Sequence, residues 1–162
     1  MNNDIKNCLP PDRHPRKPNI TLPPGSIDTH VHVFDSGYEL SPDRGYTPPN
    51  STLADLKHLH DTLGLDRVVF TQPSIYGTDN SAILDGMNNL NETTSNRARG
   101  VAAVSLDVTD EELADLDALG IRGIRLNTPP YLLGFGHPSC NNLKIQFGWS
   151  FFGSKLSKML VF

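Results

Sequence analysis

The sequence predicts an α/β fold built on a parallel sheet, and three observations carry that prediction. Four short β-prone apolar runs, at 26–33, 68–72, 98–105 and 121–126, alternate with three segments of helical period. No tight hairpin joins consecutive runs, so each strand must return through a helix and lie parallel to the last. Residues suited to chemistry fall where the runs end: His30 and His32, then Gln72, Pro73 and Ser74, then Arg125 and Asn127. The C-terminal rim of a parallel sheet is where such folds hold their sites.

The elements follow in order. Residues 1–25 hold six of the 13 prolines, which excludes a helix and predicts an extended, loosely held arm. Ser26–Val33 is the first strand. The loop Phe34–Asn50, carrying Gly37, Pro42, Gly45, Pro48 and Pro49, exceeds the roughly 12–15 residues beyond which loops are commonly functional. Ser51–Leu63 reads as a helix, with Leu53, Leu56, Leu59 and Leu63 near helical spacing, Thr52 and Asp55 as a capping box, and Gly64 as its stop. His58 and His60 are assigned to its polar face. Val68–Gln72 is a short buried strand, and a loop over Pro73–Asp79 leads to a helix from about Asn80 to Asn91, capped by Asp79 and Asn80. Ala98–Ser105 is the third strand. Thr109 and Glu112 cap a third helix bearing Leu113, Leu116 and Leu119, and Gly120 ends it before the strand Ile121–Leu126. Arg122 in that strand reads as a solvated or helix-paired charge.

The chemistry centres on Asp28-Thr29-His30-Val31-His32-Val33-Phe34. Residues two apart on a strand share a face, so His30 and His32 aim two imidazoles at one place, with Thr29, Val31 and Val33 opposite. Such a pair suits a metal, a polarised carbonyl or a proton transfer, and the same spacing also describes two solvated histidines at a strand end.

Composition narrows the classes. The apolar fraction is 37%, the charged fraction 20% and the net charge −4, which predicts a soluble, mildly acidic protein with no nucleic-acid footprint. No apolar stretch reaches the roughly 18 residues of a membrane span, and residues 1–25 lack a signal-peptide core. Cys8 and Cys140 stand alone, as free thiols in a reducing compartment do, so the expected location is cytoplasmic. The sequons at Asn19, Asn50 and Asn91 are then chance matches.

Three stretches together resemble the amidohydrolase superfamily: Asp28–Phe34, Phe70–Asn80 with its Gly77-Thr78-Asp79-Asn80 string, and Gly120–Asn127 with its Arg122-Gly123-Ile124-Arg125-Leu126-Asn127 string. Within it they resemble the amidohydrolase-related branch that includes 2-pyrone-4,6-dicarboxylate lactonase. The resemblance covers about residues 26–127. It implies a distorted (β/α)8 TIM-like barrel, of which this chain would be the N-terminal half, and hydrolysis of a carboxylated cyclic ester. By matching position it implies that His30 and His32 polarise the lactone carbonyl or hold its oxyanion. Tyr46 would hydrogen-bond the substrate, Ser74 would contact a substrate carboxylate, and Arg125 would pair with a carboxylate. Without the match, Tyr46 in its Gly/Pro loop is equally a packing residue, Ser74 a turn residue and Arg125 a surface ion pair. The lactonase branch needs no cofactor. Other members of the superfamily hold zinc through the histidine pair, which keeps a zinc-dependent hydrolase or decarboxylase as the alternative.

The pattern breaks after Asn127. A (β/α)8 barrel takes about 250 residues and a βαβ unit about 30, but only 35 residues follow Asn127. All 18 acidic residues lie at or before Asp117, with nine of the 14 basic ones, so 1–117 carries −9 and 118–162 carries +5. The aspartate base that the resemblance leads one to expect on a later strand has no counterpart. Tyr131 stands where a second basic residue is expected, and five of seven phenylalanines and the lone Trp149 lie in the tail 128–162. A retained intron, a frameshift or a truncated reading frame would each produce such a change. The expectations are therefore an arm at 1–25, a partial barrel at 26–127, an anomalous tail, impaired activity, and self-association through open sheet edges. A non-catalytic truncated isoform is the remaining alternative.

Overall fold

The computed structural model describes residues 6–105 and 107–125. The tail 128–162, with Leu126, Asn127 and Tyr131, lies outside the described residues. Strands β1 (Lys6–Asn7) and β3 (Tyr46–Thr47) form a small parallel pair. The main sheet contains β2 (Ile27–Val31), β4 (Arg67–Thr71), β5 (Ala98–Ala103) and β6 (Ile121–Arg125), all parallel and in sequence order. Helices α1 (Leu53–Leu63), α2 (Ser81–Thr93) and α3 (Asp110–Ala118) make the three crossovers. Right-handed crossovers between neighbouring strands put all three helices on one face, and a sheet wound this way is a run of consecutive barrel units.

Helix ends lie where local chemistry satisfies them. Thr52 with Asp55, and Thr109 with Glu112, form full capping boxes at α1 and α3. Gly64 ends α1 at φ 77°, a left-handed conformation that costs other residues energy. At α3 the C-cap is Leu119 rather than Gly120.

The core lies between sheet and helices. Val31, Val33, Val68, Phe70, Ala98, Ala102 and Ile121 from the strand side meet Leu56 of α1 and Ile83, Met87 and Leu90 of α2. Fully burying each of the large ones contributes about 1.5–3 kcal/mol. Gly100 on β5 is a close approach, since a Cβ there would lie 2.5 Å from Ile121 Cδ1 and 2.6 Å from Met87 Sδ. The arm is extended and tethered: Cys8 N–H donates to Thr47 O, and Arg13 pairs with Asp55 and donates to Asn50 O. Among the described residues no helix is long and apolar enough to cross a membrane.

Candidate functional site

Strand periodicity puts Asp28, His30 and His32 on one face, and the register separates Asp28 from the other two. Asp28 pairs with Val68 and Val31 with Phe70, so three steps along β2 match two along β4. One residue is extra, a β-bulge, and the alternation changes phase across it. Val68 and Phe70 face the helices, and so do Asp28 and Val31. His32 thereby falls on the opposite face, which carries no helix among the described residues. A second bulge lies in β6, where Gly100 pairs with Ile121 but Val101 with Gly123. It brings Arg125 opposite Ala103 on that same free face. Without either bulge, strict alternation would turn the corresponding side chain under a helix.

The two side chains converge on the end of β4. His32 Nδ1 lies 2.7 Å from Thr71 O. A carbonyl oxygen only accepts, so Nδ1 carries the proton and the neutral ring keeps its lone pair on Nε2. Burial holds the His32 pKa below its ordinary value, against the Thr71 hydrogen bond that raises it, and the charges of His30 and Arg125 press the same way as burial. The His30 ring meets His32 edge to face, with centroids 5.0 Å apart at 86°, and Phe34 lies 6.0 Å from His32 on centroids. Arg125 Nη1 reaches across β5 to donate to Gln72 O at 3.1 Å. Consecutive carbonyls of one strand end thus hold an imidazole from β2 and a guanidinium from β6.

Of the other expected site residues, Ser74 opens a short 3₁₀ turn (Ser74–Tyr76) two residues beyond Gln72, half-buried at the same rim. Its hydroxyl has no hydrogen-bond partner among the described residues. Tyr46 in β3 is half-buried and packs against the core. Among the described residues no hydrogen bond joins its hydroxyl to the imidazoles.

Two expectations about supporting residues need correction. His60 is not on a polar helix face: it is 1% exposed, and its Nε2 lies 3.2 Å from Asp28 Oδ2. The signal was present, since His60 follows Leu56 by four and precedes Leu63 by three, on the buried stripe of α1. Asn80 does not cap α2 with its side chain. Its amide instead takes Ala103 N–H at 2.9 Å and donates to Ala103 O at 2.8 Å, while Asp79 Oδ1 accepts from Ser81 N–H at 3.0 Å. Arg122 pairs with Asp117 of α3.

A catalytic zinc takes three protein ligands. Among the described residues no group of three His, Cys, Asp or Glu side chains is placed to hold a metal ion. His30 and His32 offer two imidazoles, and the described residues by themselves do not fit a zinc centre.

A family described as Amidohydrolase matches residues 27–138. The chain belongs to the amidohydrolase family. The match runs past Asn127, where the resemblance read from the motifs stops. The chain is 40% identical over 124 residues to a 2-pyrone-4,6-dicarboxylate hydrolase of Comamonas testosteroni, covering 75% of this chain and 39% of that one. It is 36% identical over 125 residues to a 4-sulfomuconolactone hydrolase of Hydrogenophaga intermedia, covering 76% and 40%. A crystal structure of a probable 2-pyrone-4,6-dicarboxylic acid hydrolase from Acinetobacter baumannii, with citric acid bound, superposes with a TM-score of 0.58 at 32% identity, over 65% of this chain and 40% of that one. This amidohydrolase chain therefore spans about two fifths of the length of the relatives it matches.

Proposed function

We propose that this chain carries the N-terminal part of a site for hydrolysing a carboxylated lactone, with His30, His32, Tyr46, Ser74 and Arg125 as its residues. The observation that carries the reading is the convergence of His32 and Arg125 on Thr71 O and Gln72 O. One is a proton-transfer group and the other a carboxylate-binding fork. The relatives named as hydrolases of a pyrone dicarboxylate and a sulfomuconolactone support it, since both names describe an anionic cyclic ester.

In this reading the Arg125 N–H groups not given to Gln72 pair with a substrate carboxylate. Hydroxyls of Ser74 and Tyr46 hold the substrate's polar ends. Water adds to the ring carbonyl carbon, the acyl C–O bond breaks, and the ring oxygen leaves as a hydroxyl carrying the proton that His32 took from the water. His32, neutral with its Nε2 lone pair free, is fitted to accept the proton of water rather than to donate to the carbonyl. His30, exposed and edge-on to it, is the imidazole left to donate to the developing oxyanion. The sequence holds no Asp or Glu after Asp117, so in this reading His32, whose pKa burial lowers, stands alone as proton acceptor where the lactonase resemblance implies an aspartate base. Binding with little turnover is the expected outcome.

The test is titration of the isotopically labelled chain with 2-pyrone-4,6-dicarboxylate, followed by NMR. Saturable shifts at His30, His32, Ser74 and Arg125, lost in Arg125→Leu, support the site. Shifts scattered elsewhere with these four unmoved overturn it. The zinc-dependent reading draws on one observation: an imidazole Nδ1–H given to a carbonyl, with Nε2 free, is how metal-bound histidines are oriented. Calorimetric titration with zinc, compared between the native chain and His32→Gln, decides whether the pair binds metal.

A further inference from the structure

We propose that Asp28 and His60 form a positioning pair that locks the β2 bulge and so turns both imidazoles onto the free face of the sheet. This rests on the reading that His30 and His32 belong to the site. A bulge leaves a backbone group unpaired at the extra residue. Here Asp28 Oδ1 accepts from the His30 N–H at 3.2 Å, a local side-chain bond that takes up an amide at the bulge. The other oxygen, Oδ2, is held by His60 Nε2 at 3.2 Å. His60 is 1% exposed and sits on α1 one helical turn beyond Leu56, whose side chain packs in the cluster that contains Val31 and Val33. The carboxylate is therefore fixed on both oxygens, once to the bulge and once to the helix that covers it.

The register shows what this fixing decides. With the extra residue between Asp28 and Val31, Val31 faces the helices opposite Phe70, and His32 comes level with Thr71 O. If the bulge relaxes, alternation from Asp28 turns His32 toward the helices and Val31 away from them. Nothing in α1 would otherwise need a histidine at this depth, because a leucine would continue the stripe of Leu56 and Leu63. A buried polar side chain needs a hydrogen-bond partner, and among the described residues Asp28 is the one that His60 has.

The experiment reads ring state in the full chain rather than activity. Long-range proton–nitrogen correlation of the histidine rings is expected to show His32 as a single Nδ1–H tautomer. In His60→Leu, which keeps the volume and removes the donor, the His32 signal is expected to move to a tautomer-averaged position and the His30 amide to lose its exchange protection. His60→Gln, which can still donate to Asp28, is expected to restore both. Should His60→Leu fail to fold, Asp28→Asn and Asp28→Ala replace it. Asparagine keeps an acceptor for the His30 amide and the wild-type pattern, and alanine loses it. The proposal is overturned if His60→Leu leaves both signals unchanged, if His60→Gln behaves as His60→Leu, or if the two Asp28 variants are indistinguishable. Ligand titration of the native chain tests the site itself separately. A native chain that ignores the lactone but shows these ring changes would defeat the site reading and leave the positioning pair standing.

Discussion

At the scale of single residues, two histidines are held neutral for different ends. His32 gives its proton to a strand carbonyl and keeps an acceptor at the rim, whereas His60 spends its ring on Asp28 inside the core. Burial lowers both pKa values below 6.5, and for His60 it outweighs the opposing effect of Asp28. Unfolding frees both rings to bind protons more readily, so the unfolded state takes up more protons below that value. Stability is then full above pH 6.5 and falls as pH drops through the window beneath it. Thermal melts across that window should show the fall, and His60→Gln should flatten it. An undiminished fall in the variant would assign the acid sensitivity elsewhere. The carboxylates of Asp55 and Glu112, lowered by their capping bonds, lose their contribution only further down the scale. Arg125→Leu removes a charge-assisted contact, typically about 1.5–3 kcal/mol, so affinity for the dicarboxylate should drop about ten- to hundredfold. Calorimetry checks this, and an unchanged affinity would remove Arg125 from the site.

At the scale of elements, α2 clamps β5 at both ends. Asn80 exchanges two hydrogen bonds with Ala103, and Asn91 exchanges two with Ala98, each amide imitating a strand neighbour. Alanine at either position leaves a backbone N–H and C=O without that partner. Each substitution should cost about 1–3 kcal/mol in urea denaturation, and a loss within error would show that water replaces the clamp. At Gly100 the sheet and α2 approach so closely that Gly100→Ala must displace both Met87 and Ile121. The expected destabilisation is about 1–3 kcal/mol, measured the same way.

At the scale of the whole molecule, the described sheet has helices on one face only, and β2 and β6 each leave one edge unpaired among the described residues. Unpaired edges of this kind are templates for further strands. The purified chain is expected to self-associate in a concentration-dependent way by light scattering. Thr29→Lys, placing a charge on the exposed part of β2, should shift it toward monomer. A native monomer with a single cooperative unfolding transition would contradict this.

The order of the main-sheet strands and their helices, the helix caps at Thr52 and Thr109 and the placing of His32 and Arg125 at strand ends were legible in the sequence alone, unlike the small β1–β3 pair. They depend on neighbours in the chain: apolar period, a side-chain oxygen three residues from an amide, the hand of a crossover. The motif also announced His30 and His32. What the sequence could not supply was the phase of each strand after its bulge, because a one-residue insertion is defined only against the partner strand. Tertiary structure therefore decided that Asp28 turns inward to His60 while His32 and Arg125 turn outward together. It also decided that Asn80 serves β5 rather than the helix it begins, since the competing acceptor and donor at Ala103 lie 23 residues away.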